Sequence, residues 1–89
     1  MNQTREVLDA DLRDAAHELG QLISKLKTGE CDDDMDIAVR LNCVIRHLRA
    51  AWNGRDMTFE DINAMTLEEF DRLGTNPVFG ETPHDNSAL

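Results

Sequence analysis

A cysteine and a histidine four residues apart on one helix face can grip a single metal ion, and Cys43 and His47 stand at that spacing. A structural zinc site needs about four such ligands. The other candidates are Cys31, His17, His84 and carboxylates, which follow no recognisable spacing. Cys43 is therefore read as a small apolar packing residue and His47 as a solvated one, with no metal or other cofactor expected. The acidic run Glu30-Cys31-Asp32-Asp33-Asp34-Met35-Asp36 lacks both the DxDxDG spacing and the closing glutamate of a calcium loop. It is better explained as the start of a helix, where carboxylates cap free N–H groups. Ser24 and Ser87 have no base nearby in sequence, and the chain holds no nucleophile elbow, phosphate-cradling glycine loop or HExxH. No catalytic residue is expected, and the chain is read as a non-enzyme.

The pattern best suited to binding lies between residues 39 and 50. Val39, Cys43 and Ala50 form a narrow apolar strip along a helix, flanked by Arg46 on one side and by Arg40 and His47 on the other. Small apolar residues let a second helix approach closely, and arginines hold carboxylates by paired hydrogen bonds. With Arg49, these residues make a candidate partner-binding surface for an acidic protein or a second copy of the chain. The alternative covering is intramolecular: the acidic segment 58–73 folds back over the strip. That covering is the simpler one, since the charges match within one molecule.

Charge distribution supports this division. The chain carries a net charge of −9, which disfavours free nucleic acid as a ligand. Yet Arg40, Arg46, Arg49 and Arg55 face only Asp56 between residues 37 and 56, while 31–36 and 57–74 are strongly acidic. A cationic middle between anionic flanks suits protein–protein steering or self-association. A nucleic-acid-binding module using the arginines of the second helix is a further alternative. No stretch approaches the ~20 apolar residues of a membrane span, and the N-terminus has no signal-peptide character. The two cysteines form no CxxC, so a cytoplasmic, reducing setting is expected.

The elements that must position these residues are helical. Leu8, Leu12, Ala15, Leu19, Leu22 and Leu26, widened by Ala16 and Ile23, occupy an arc of about 120° and predict a helix from about Thr4 to Lys27. Lys25 and Lys27 suit its last turn, and Gly29 its left-handed cap. A second helix is predicted over Asp34–Asn53, with Ile37, Ala38, Leu41, Val44, Ile45, Leu48, Ala51 and Trp52 as its main buried stripe. The second apolar strip on its other side marks it as a central helix, covered from both directions. Thr58-Phe59-Glu60-Asp61-Ile62-Asn63-Ala64-Met65 is followed at once by Thr66-Leu67-Glu68-Glu69-Phe70-Asp71-Arg72-Leu73, a short repeat. Each unit opens as a capping box, with Asp61 and Glu69 three residues after the threonine. Two short helices closed by Gly74 are expected, followed by an irregular, partly mobile tail over 75–89 that Val78 and Phe79 pin to the bundle.

The segment Thr58–Leu73, 16 of the 89 residues, resembles the ends of some tail-assembly chaperones. Small acidic helical chains of this kind recur among phage and mobile-element accessory proteins, including anti-CRISPR inhibitors. The resemblance implies a stoichiometric inhibitor, adaptor or assembly factor and assigns no site residue. The expected architecture is all-α: a long antiparallel hairpin with one or two short C-terminal helices, forming a single domain over 1–74. The expected function is protein binding, with a self-associating structural role as the alternative.

Overall fold

The computed structural model describes residues 5–81. These form α1 (Glu6–Thr28), α2 (Asp34–Asn53), α3 (Phe59–Asn63) and α4 (Leu67–Thr75), with no strand among them. The all-α architecture follows the sequence. Thr4, the expected start of the first helix, lies outside the described residues, as do residues 82–89 of the tail.

Local chemistry sets most boundaries. Gly29 ends α1 at φ 79°, and its N–H reaches the Leu26 carbonyl at 3.4 Å. Asp34 and Asp36 occupy the first turn of α2, where they complement the helix dipole. Asp33, however, makes no side-chain hydrogen bond at the cap, so the acidic run acts through the dipole and not by capping as expected. Thr58 and Thr66 both build full capping boxes. The Thr58 hydroxyl accepts from the Asp61 N–H at 3.1 Å, and the Asp61 carboxylate accepts from the Thr58 N–H at 2.9 Å. The corresponding distances at Thr66 and Glu69 are 3.1 and 2.8 Å.

α1 and α2 run antiparallel. Val7 meets Gly54 at the open end, and Asp11 faces His47 one turn in. At the closed end Cys31 is buried beneath the connecting turn, beside Asp36 and Arg40. A Cβ on Gly54 would lie 2.8 Å from Val7 Cγ1 and 3.1 Å from the Ala50 carbonyl oxygen, so glycine is what lets α1 seat here. The core is small: Val7, Ala15, Leu22, Cys31, Val44, Ala51 and Leu73 are its buried apolar residues.

The hairpin departs from the expected packing in one respect. Of the eight predicted contact residues of α1, only Ala15 and Leu22 are buried and Leu8 is half-buried. Leu12, Leu19, Ile23 and Leu26 are exposed, as are Leu41, Ile45, Leu48 and Trp52 on α2. The buried positions, Val7, Ala15 and Leu22 on α1 and Val44 and Ala51 on α2, lie along one edge of each apolar stripe, and one partner helix covers only that edge. Trp52, expected in the core, instead lies at the surface. Phe79 tilts against it with ring centroids 4.6 Å apart, and the Arg55 guanidinium sits 3.9 Å above it.

α2 is central, as its two apolar sides required, with α1 on one flank and α4 on another. Gly74 does not close the last helix as expected. It is buried inside α4, where a Cβ would come within 3.3 Å of the Arg46 carbonyl oxygen, and the helix continues to Thr75. The Asn53 side chain fixes the same junction by donating to the carbonyls of Leu73 at 2.9 Å and Asn76 at 3.1 Å. α3 is tied to α1 by the Phe59 N–H, which donates to Glu6 at 2.8 Å.

Removing the cap of α4 by Thr66→Ala is expected to lower stability by about 1 kcal/mol in urea denaturation, the usual worth of a threonine N-cap. Thr66→Ser, which keeps the hydroxyl, is expected to retain most of it.

Candidate functional site

The strip singled out in the sequence is divided by the fold. Cys43, Arg46, His47 and Ala50 form one wall of a cavity of about 370 Å³, faced by Asp11 and Asp14 of α1 and roofed by Phe59, Ile62 and Phe70. Val39 is exposed outside that cavity, Arg40 turns to the closed end of the hairpin, and Arg49 turns to the C-terminal segment. The acidic repeat therefore does fold over part of the strip.

The arginines are engaged within the chain. Arg46 donates to Asp71 at 2.7 Å, and Arg40 pairs with Asp36 at 3.4 Å. Arg49 grips Glu81 with two hydrogen bonds, at 3.1 and 2.9 Å. The Arg49 hydrogen bond, aided by the Val78 N–H, holds the Glu81 carboxyl below the ordinary glutamate range. This strap, with Phe79 against Trp52, fastens the chain after α4 to the hairpin.

Within the cavity, Asp11, Asp14 and His47 place one potential ligand atom each within 4.8 Å of one another. The sequence reading did not join these three. Their signal was an i, i+3 aspartate pair on α1, unremarkable until the hairpin register sets it opposite His47. Burial pushes the Asp11 carboxyl up, against a smaller downward pull from His47 3.5 Å away. Three donors fall short of the usual four of a closed zinc site, and Cys43 lines the cavity without joining the cluster.

A second surface was hidden in the expected core. On α1 the stripe Leu12, Leu19, Ile23 and Leu26 lies about 80° around the helix from the centre of Val7, Ala15 and Leu22. On α2 the stripe Leu41, Ile45, Leu48 and Trp52 is likewise offset by about 80° from Val44 and Ala51, in the same rotational sense. In an antiparallel pair the same sense places both stripes on one side of the hairpin. The eight side chains each keep between 37% and 49% of their surface exposed. α3 and α4 cover the other side; on this face Phe79 and Arg55 lie against Trp52 at one end, and no helix among the described residues packs over the rest. No helix is long and apolar enough to cross a membrane within the same residues.

No protein-family model, curated protein or solved structure was found to match the chain.

A carboxylate held below its ordinary range stabilises the fold above that range and gives the stabilisation up as pH falls through the lowered value. The Arg49–Glu81 strap is therefore expected to hold at neutral pH and to open only in acid, below the ordinary glutamate range. Trp52, the single tryptophan, reports it: its emission is expected to change as Phe79 withdraws, and Glu81→Gln is expected to show the released emission already at pH 7. Thiol labelling gives a separate check. Cys43 is expected to react much faster than Cys31, which is buried and whose thiol pKa is raised by that burial.

Proposed function

We propose that the chain is a stoichiometric protein-association module whose docking surface is the apolar face of α1 and α2. The observation that supports this reading is the exposure of eight large apolar side chains on one side of the hairpin. Together they leave on the order of 600 Å² of apolar surface in water, at the top of the ~300–600 Å² range of the largest patch on a typical monomer. Burying such a face is favourable by about 25 cal/mol per Å² before the losses of association are subtracted. The role is that of an adaptor, inhibitor or assembly factor, working by shape and burial and without turnover.

The arginine strip is less suited to the task than its sequence suggested. Arg40, Arg46 and Arg49 already hold carboxylates of the same chain, and an acidic partner would have to displace them. The same pairing counts against a nucleic-acid interface built on these arginines.

The test compares a Leu19→Ser/Ile45→Ser double variant with Arg46→Glu. Both are expected to keep a helical circular dichroism spectrum. The double variant is expected to lose every stable protein association of the wild-type chain, and Arg46→Glu to keep it. The opposite pattern would move docking to the cavity side and overturn the reading.

A further inference from the structure

We infer that the occupant of the apolar face is a second copy of this chain, and that two hairpins pack face to face as a four-helix core. This inference rests on the docking surface proposed above and names its partner.

The area fits. About 600 Å² offered by each copy gives a pair that buries roughly 1,200 Å² in total, the lower bound of a stable specific interface. The shape fits as well. Two antiparallel helices with one flat apolar side are half of an up-down bundle, and a second hairpin laid on that side by a two-fold axis supplies the missing half. The residues outside the described region, 1–4 and 82–89, contribute only Met1, Pro83, Ala88 and Leu89 as apolar side chains.

The fold's own needs favour a copy over a foreign partner. The buried core holds no side chain larger than leucine, and a chain of this size with so little inside it has little stability of its own. A face on which the fold depends must be covered as the chain folds, and a copy is present whenever the chain is. The centre of the face also carries no charge. Two chains of −9 can meet there without opposing carboxylates, and a charged partner has nothing at that centre to recognise.

The experiment is light scattering and sedimentation of the purified full chain in reducing buffer, from about 1 to 100 µM. The expected mass is twice the 10.1 kDa of the chain, with a thermal midpoint that rises with concentration. Ile45→Glu is expected to raise the dissociation constant by about 100-fold or more, because it places an unpaired charge in the interface. Leu67→Glu, on an 88% exposed residue of α4, is expected to leave dimerisation unchanged. The concentration dependence of the wild-type midpoint needs no variant, so it decides the matter even if Ile45→Glu fails to fold. A monomeric mass with a concentration-independent midpoint overturns the dimer. If that monomer still captures another protein through Leu19 and Ile45, the docking reading stands with a foreign occupant. If it captures none, both fail. A folded Ile45→Glu variant that stays dimeric also overturns the inference.

Discussion

The closeness of α1 to α2 governs the rest of the molecule. Ala15 and Ala51 are buried between them, and Gly54 allows Val7 against the end of α2. Small residues draw two helices together but leave each the width of a single contact line. The broad apolar stripe of each helix is then covered along one edge only. The core stays thin, eight large side chains remain outside, and the opposite side of the hairpin opens into a groove that α3 and α4 fill in part. The exposed face and the cavity are two results of one rotational offset.

Much of the local structure was legible in the residues, because it depends on neighbours in sequence. Asp34–Asn53 is helical as read, and Thr58–Asp61 and Thr66–Glu69 cap their helices as read. Gly29 adopts the left-handed conformation that only glycine takes without strain. What the pattern did not carry was the rotation of each helix about its own axis. A stripe 120° wide says that a helix has something to bury. It does not say which third of the stripe a particular neighbour will meet. That is decided by the volumes of facing side chains, and so Leu19 and Ile45 went from expected core to surface. Gly74 was misread for a similar reason: its function is close approach to Arg46, a partner 28 positions away.

The candidate site shows the same division. Sequence grouped Val39, Arg40, Cys43, Arg46, His47, Arg49 and Ala50 by helical face. The fold kept Cys43, Arg46, His47 and Ala50 together and sent the rest elsewhere. Each arginine ends beside the carboxylate that its own surroundings supply: Asp36 one turn away, Asp71 from α4, Glu81 from the segment beyond. The bipolar charge pattern thus serves first to fold the chain onto itself. Ion pairs join the close approach of Gly74 and the Asn53 hydrogen bonds in holding α4 and the C-terminal strap, while the apolar stripes of α1 and α2 stay exposed.

The seat of Val7 against Gly54 has a consequence for descent. With no room for a Cβ at position 54, the two positions share one fixed volume and cannot drift independently. A lineage that replaced Gly54 by alanine would have to shrink residue 7 in compensation, and one that enlarged residue 7 would need glycine at 54 all the more. Homologous chains with the same hairpin should carry these two sites as a covarying pair, a signature readable from sequences alone.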